Sequence, residues 1–345
     1  MSNTYGPKRL GFLLAALGCS LAACSKNGSD HGSNSAGPKV AFLLSTLQEE
    51  RYQKDKKYFE DEAKTQGLSV FTFSADNDNA RQLSQVEDAL SRGAKVLVIQ
   101  PTDSAAAAAY VAKAHEKGAK VVSYDRSIRG DADFYVAHDS HKVGVLQAEA
   151  AIKATAGKGN YVLLHGQSGH SVATEIARGY MDALRPYIDR GDIKVVVETS
   201  HDAWAPEQAL KTVEDAIAKT KGNIQAILAN NSGMARGAVQ AIAAASAKNV
   251  FIAGADADAA NAGFVCDGKQ SIEILKDIKP LAEKAAQVAA ALASNKPVEG
   301  TTTLPNSTTP VVAVPVILVD RSNAKQLLID SGFHSASTVP ACAKK

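Results

Sequence analysis

Six short apolar runs in this chain each break off into side chains that can hold a hydroxyl-rich molecule. The run Val40–Leu44 leads through Ser45 to Arg51 and Tyr52, Val121–Tyr124 into Asp125 and Arg126, and Val195–Val197 toward His201 and Trp204. Ala226–Ala229 ends in Asn230 and Asn231, Phe251–Gly254 in Asp256 and Asp258, and Ile272–Leu275 in Lys276. Carboxylates and amides accept from and donate to neighbouring hydroxyls. Arg and Lys add charge-assisted donors, and an indole face covers C–H surface. Ligands of open parallel α/β sheets sit beyond the carboxyl ends of the strands, so these residue types in those places describe a pocket for a small polar molecule.

Other chemistry finds less support. Gly166-Gln-Ser-Gly-His170 fails the nucleophile-elbow pattern because His170 stands where a glycine is needed, and neither a phosphate-cradling loop nor a dinucleotide fingerprint follows the first strand. His138 with His141, and His165 with His170, lack the companions of a metal site and read as structural or solvated. Asp256 and Asp258 could form an acid/base or metal pair, but the second reads better as a cap for the turn or helix that follows. No enzyme, metal site or cofactor is therefore expected. With 38 Lys and Arg against 36 Asp and Glu, and no basic block, nucleic acid is not expected as a partner either.

The elements that position these residues alternate. Strand-like runs are separated by amphipathic stretches at 52–66, 80–92 and 105–117, with Gly67, Gly93 and Gly118 where left-handed helix caps are wanted. The fold class is α/β, and a second set of such units starts at Asn160, so two similar Rossmann-like lobes with parallel sheets face each other across a cleft. Near the end, Val311–Val319 forms another apolar run.

Lys8 and Arg9 followed by the apolar stretch Leu10–Ala23 read as an export signal, too short to span a bilayer comfortably. Leu21-Ala-Ala-Cys24-Ser25 resembles a bacterial lipobox, which makes Cys24 the candidate lipidated residue; the alternative is plain cleavage after Ala23. Cys19 fits that pattern less well. Residues 24–38 have almost no apolar side chain and read as a disordered tether. Cys266 and Cys342 then remain. In an oxidising compartment they favour one disulfide that pins the C-terminal tail, the alternative being two separate thiols.

The segments Arg51-Tyr-Gln-Lys-Asp55, Tyr124-Asp-Arg126, Lys142-Val-Gly144, Ala203-Trp-Ala-Pro-Glu207, Asn230-Asn231 and Gly254-Ala-Asp-Ala-Asp258 resemble those of the type I periplasmic sugar-binding proteins of ABC transporters, in particular the xylose-binding branch. The likeness runs from about Lys39 to about Gly332. It implies a monomeric, two-lobed receptor in the periplasm or cell envelope that closes on one monosaccharide, D-xylose or a similar aldopentose, and hands it to an inner-membrane permease. A receptor that reports the sugar to a membrane signalling protein is the alternative. Carried over residue by residue, the ligand set is Arg51, Asp125, Arg126, Trp204, Asn231, Asp256 and Lys276, with Tyr52 beside Trp204. The resemblance also implies a three-segment hinge, with lobe one at 39–138 plus 278–309, lobe two at 139–277 plus 310–333, and a tail at 334–345. One departure stands out. Where the xylose pattern has an Asp followed two positions later by an Asn, this chain has His170-Ser171-Val172, which makes His170 a further ligand candidate.

Overall fold

The computed structural model describes residues 37–303 and 309–344; the export signal, Cys24 and nearly all of the tether lie outside them. In chain order the elements are β1 (Lys39–Leu44), α1 (Glu50–Thr65), β2 (Ser69–Ser74), α2 (Asn79–Ser91), β3 (Val96–Ile99), α3 (Ala108–Glu116), β4 (Lys120–Tyr124) and β5 (Phe134–His138). There follow α4 (Ser140–Ala154), β6 (Gly159–His165), α5 (Ser171–Asp189), β7 (Ile193–Ser200), α6 (Pro206–Thr220), β8 (Ala226–Ala229), α7 (Ser232–Ala244), β9 (Phe251–Ala255), α8 (Ala259–Asp267) and β10 (Ile272–Lys276). The chain closes with α9 (Ile278–Ala293), β11 (Val311–Val314), β12 (Val316–Asp320) and α10 (Pro340–Ala343).

These strands make two six-stranded sheets, ordered β11-β5-β4-β3-β1-β2 and β12-β10-β9-β8-β6-β7. Continuous apolar runs such as Val40–Leu44 and Leu163–Leu164 are buried on both faces, as strands sandwiched between helices must be. Phe59 and Ala63 of α1 and Leu281–Ala289 of α9 cover one face of the first sheet, and residues of α2 and α3 cover the other. The second sheet has α4 and α5 on one side and α6 and α7 on the other. Helices α4 and α5 approach through Gly144 and Gly179. A Cβ on either glycine would lie 2.1–2.2 Å from a carbonyl oxygen of the opposite helix.

Local signals set the boundaries. Asp78 and Asp139 cap α2 and α4 by accepting from Arg81 N (2.7 Å) and Lys142 N (2.9 Å), and Gly67, Gly93 and Gly118 take positive φ just past helix ends, as their spacing predicts. Asp258 departs from expectation. It occupies the cap position of α8, but its carboxylate bonds no backbone N–H there and instead faces Arg236 at 3.7 Å.

The chain passes between the sheets after His138, at Asp277 and at Pro315. The last point corrects the expected boundary at 310. Residues 311–319 are not one strand of the second lobe: β11 pairs with β5 in the first sheet, and β12 runs antiparallel to β10 in the second. Pro315 lies between them, where its missing N–H and fixed φ end one ladder and let the next begin. The residues read as a tail are packed as well. Val339 and Cys342 are buried with Ala257, Val265 and Leu275, and a disulfide joins Cys342 to Cys266 with Cα atoms 5.2 Å apart. No helix among the described residues is long and apolar enough to cross a membrane.

Candidate functional site

The central group is Arg51, in the first turn of α1 and only 3% exposed. Its guanidinium reaches Asp125 Oδ1 (Nη2, 3.1 Å), Asp256 Oδ1 (Nη1, 3.3 Å) and Asp55 Oδ2 (Nε, 3.4 Å). Asp55 stands one helical turn along the same face and Asp125 follows β4, whereas Asp256 follows β9 in the other lobe. One side chain thus ties the two lobes together. Lys276, the last residue of β10, approaches Asp256 Oδ1 to 2.7 Å beside the Asp277 crossing.

Around this cross-link the walls nearly meet on a cavity of about 10 Å3, lined by Glu49, Arg51, Tyr52, Asp125 and Arg126 from the first lobe and by Val172, Trp204, Asn231, Asp256 and Lys276 from the second. Eight of the nine residues expected to bind ligand line this one chamber. A wider opening of about 460 Å3 adjoins it and shares Glu49, Arg51, Trp204, Asn231 and Asp256. The inner cavity has room for about one water between its walls, whereas the adjoining opening lies within the roughly 300–1,000 Å3 of small-molecule pockets. Its walls carry three cations (Arg51, Arg126, Lys276) and three acids (Glu49, Asp125, Asp256), together with an amide, a phenol and an indole.

His170 takes a different place. Its ring sits behind the wall, where Nδ1 accepts from Trp204 Nε1 at 2.7 Å and Nε2 donates to the Thr102 carbonyl at 2.7 Å. Burial, reinforced by Arg126, pushes its pKa down to about 2 and keeps the imidazole neutral, while the donor-only indole N–H and the acceptor-only carbonyl fix this tautomer. His170 therefore orients the indole, while Val172, two residues on, supplies the lining.

Trp204 ends a short 3-10 turn (Asp202–Trp204) and rests against Gly166. A Cβ at Gly166 would lie 2.4 Å from three indole ring atoms. Asn231 caps α7 by accepting from Met234 N at 2.9 Å, which leaves its amide nitrogen available to the cavity. Arg126 donates to Pro101 O (3.2 Å) and to Tyr52 Oη (3.1 Å), so Tyr52 lies between two guanidiniums. Backbone strain gathers here too, since Asp125 (φ 61°), Trp204 (φ 57°) and Asp256 (φ 95°) are all left-handed non-glycine residues. Such conformations cost roughly 1–3 kcal/mol each and persist where the surroundings over-determine them. At Asp125 the peptide N–H donates to Val136 O (2.9 Å) and the carbonyl accepts from Tyr135 Oη (2.9 Å).

Several contributors went unselected in the sequence. Gln100 follows β3 as Asp125 follows β4, and it donates to Asp125 Oδ2 (3.2 Å) while accepting from Ser45 Oγ (2.8 Å); the strand-end rule that found the others applies to it equally. Asp55 was legible as the i+4 partner of Arg51. The seat that Gly166 provides for Trp204 had no sequence signal.

Burial raises Asp125, but Arg51, Lys276 and Arg126 outweigh it and hold this carboxyl well below the usual range. Elsewhere desolvation wins. It lifts Asp55 to about 6, Glu49 to about 7, Asp258 to about 7 with help from Asp256, and the fully buried Glu273 of β10 to about 8.

The model for the periplasmic binding protein domain matches residues 40–297, and the chain belongs to that family. It is 36% identical over 305 residues to the D-xylose-binding periplasmic protein of Haemophilus influenzae, covering 87% of this chain and 92% of that protein. It is 37% identical over 303 residues to the D-xylose-binding periplasmic protein of Escherichia coli, with the same coverage. Among solved structures, a solute-binding protein of an ABC transporter from Clostridium phytofermentans with bound β-D-glucose superposes with a TM-score of 0.80 at 29% identity, covering 87% of this chain and 99% of that one. The family and these relatives are binding proteins and not enzymes.

Two outcomes follow. Gly166→Ala forces the indole out of its seat and into the cavity, so ligand affinity should fall by about 10-fold or more, measured by calorimetry, while the circular dichroism spectrum is retained. Unchanged affinity would show that the Trp204 position is immaterial. The second concerns pH. Burial also depresses His138 to about 3 and His170 to about 2, so below about 6.5 the unfolded chain gains protons at histidines that the folded chain refuses. Above about pH 7 the histidines are mostly neutral in either state, and the raised acids Glu49, Asp258 and Glu273 dominate the difference. The folded state then holds more protons than the unfolded one, and stability must fall as pH rises through their folded values. The melting temperature of the ligand-free protein should decline from about pH 7 to 8.5; a rising or flat profile would contradict these assignments.

Proposed function

We propose that this protein binds a neutral monosaccharide, D-xylose or a similar aldopentose, between its lobes and delivers it to an ABC permease in the inner membrane. The observation that carries the reading is the chamber's near balance of charge: Arg51, Arg126 and Lys276 face Asp125 and Asp256, with Asp55 behind Arg51 and Glu49 about half charged at neutral pH, around a space that also presents an amide, a phenol and an indole. A charged ligand would leave one of these desolvated groups without compensation. A polyol can bridge acids and cations alike, donating to the former and accepting from the latter. Identity of 36–37% to two D-xylose-binding proteins supports the choice of sugar, while Val172 in the wall leaves room for a related aldopentose.

Closure follows from the division of the site. Arg51, Tyr52, Asp125 and Arg126 belong to one lobe, Trp204, Asn231, Asp256 and Lys276 to the other, so a ligand touches both sets only when the lobes meet. Three chain crossings let the halves rotate without separating. Lys276, next to the Asp277 crossing, links ligand contact to that rotation. On this reading export and lipidation at Cys24 tether the receptor at the membrane through the polar stretch before β1.

Adding D-xylose should change Trp204 fluorescence and raise the melting temperature, and a panel of pentoses, hexoses and polyols ranks the ligands. Arg126→Ala should weaken binding of the best sugar at least about 10-fold with the fold intact, since it removes charge-assisted donors from a desolvated site. If no sugar shifts either signal, the proposal fails.

A further inference from the structure

The C-terminal segment touches one of the two site loops that carry consecutive left-handed residues, the other being Ala203–Trp204. Asp256 and Ala257 are consecutive left-handed residues at φ 95° and 57°, and neither is glycine. The conformation is held at three peptide groups. Asp256 N donates to Ile274 O (3.0 Å), Ala257 N donates to the buried Glu273 carboxylate (3.0 Å), and the Ala257 carbonyl accepts from His334 Nε2 at 2.7 Å. Of these only His334 comes from outside the sheet and its adjoining loop. It is 4% exposed, its own N–H donates to Leu328 O (2.7 Å), and the segment that follows it is fastened through the buried Cys342 to Cys266 of α8. The neighbouring Phe333 stacks edge-on against His334 at 4.7 Å, and Lys54 of α1, in the other lobe, places its Nζ 4.7 Å from the Phe333 ring. Lys54 lies three residues after Arg51 on the same helix. The segment thus meets both lobes on either side of the Arg51–Asp256 link.

We propose that His334 and Phe333 are positioning residues for the ligand site: His334 holds the Asp256–Ala257 loop so that the Asp256 carboxylate faces Arg51 and Lys276, and Phe333 holds the lobes together through Lys54. The disulfide makes this possible, because it keeps a short terminal segment ordered that would otherwise fray. Without the His334 bond, the Ala257 carbonyl loses its partner and the loop relaxes out of its left-handed conformation. Asp256 then leaves the cavity wall. Phe333 acts later, on release: its cation–π contact spans the lobes and so exists only in the closed form. This inference rests on the sugar-binding reading above.

The test measures D-xylose, and the best sugar of the panel, by calorimetry and by stopped-flow Trp fluorescence, on wild type, His334→Ala, His334→Gln and Phe333→Leu with the disulfide intact. His334→Ala should raise Kd about 10-fold. His334→Gln, which keeps an N–H donor near the Nε2 position, should recover most of that loss even if its melting temperature does not return. Phe333→Leu should speed sugar release a few-fold and leave the association rate unchanged. Equal affinity of wild type and His334→Ala would overturn the role of His334. If His334→Ala does not fold, a Gln variant with wild-type affinity together with faster release from Phe333→Leu supports the proposal, and wild-type release from Phe333→Leu overturns it. A wild type that binds none of the sugars defeats the sugar-binding reading itself, an outcome distinct from either.

Discussion

A guanidinium buried to 3% exposure, with carboxylates from two lobes around it, is the constraint on which the rest of this molecule depends. Removing such a charge from water costs several kcal/mol, and only close partners offset that cost. Asp55 and Asp125 supply them within the first lobe, and Asp256 completes the set from the second. Arg51 therefore couples lobe position to electrostatics: separating the lobes removes one of its three partners. Each other group in the chamber is placed with respect to that centre, Gln100 by holding the far oxygen of Asp125 and Lys276 by sharing Asp256 Oδ1.

Topology brings these groups together at little expense. Apart from the added edge strands β11 and β12, both sheets have the same order, with the first strand of each set in second place, so each has a reversal point where the loops beyond the strand ends diverge and leave a crevice. Opposing the two crevices makes one closed chamber. Side chains are then aimed by local backbone strain at Asp125, Trp204 and Asp256, each fixed by bonds from neighbouring elements. That strain is tolerated where it orients a cavity-facing group, and the surrounding sheets are regular enough to carry it.

The strand-end residues were legible because the physics that marks them is local: an apolar run buried on both faces, ending abruptly in polar side chains. That rule identifies Asp125, Asn231, Asp256 and Lys276 directly, and it would have identified Gln100. The same runs point toward Trp204 and Arg51, and whole-chain resemblance singles them out, because their places depend on a turn and a helix rather than a strand end. What stayed hidden depends on packing between distant segments. His170 looked like a ligand because it stands where the related pattern has an acid, yet its two ring nitrogens are spent on Trp204 and Thr102. The third crossing was misplaced by five residues because Val311–Val319 is apolar throughout, and only the pairing partners of its two halves reveal that Pro315 divides them. The contact of His334 with Ala257 joins residues 77 apart and carries no sequence signature.

The central claim is that a chamber whose buried cations and carboxylates nearly balance selects a neutral polyol. The most direct measurement is a calorimetric comparison of a neutral aldopentose with the corresponding sugar acid and amino sugar at one pH and ionic strength. The account predicts measurable binding of the neutral sugar and at least about 100-fold weaker binding of both charged analogues, since each places an uncompensated charge among desolvated groups. Equal or tighter binding of either charged analogue would contradict it.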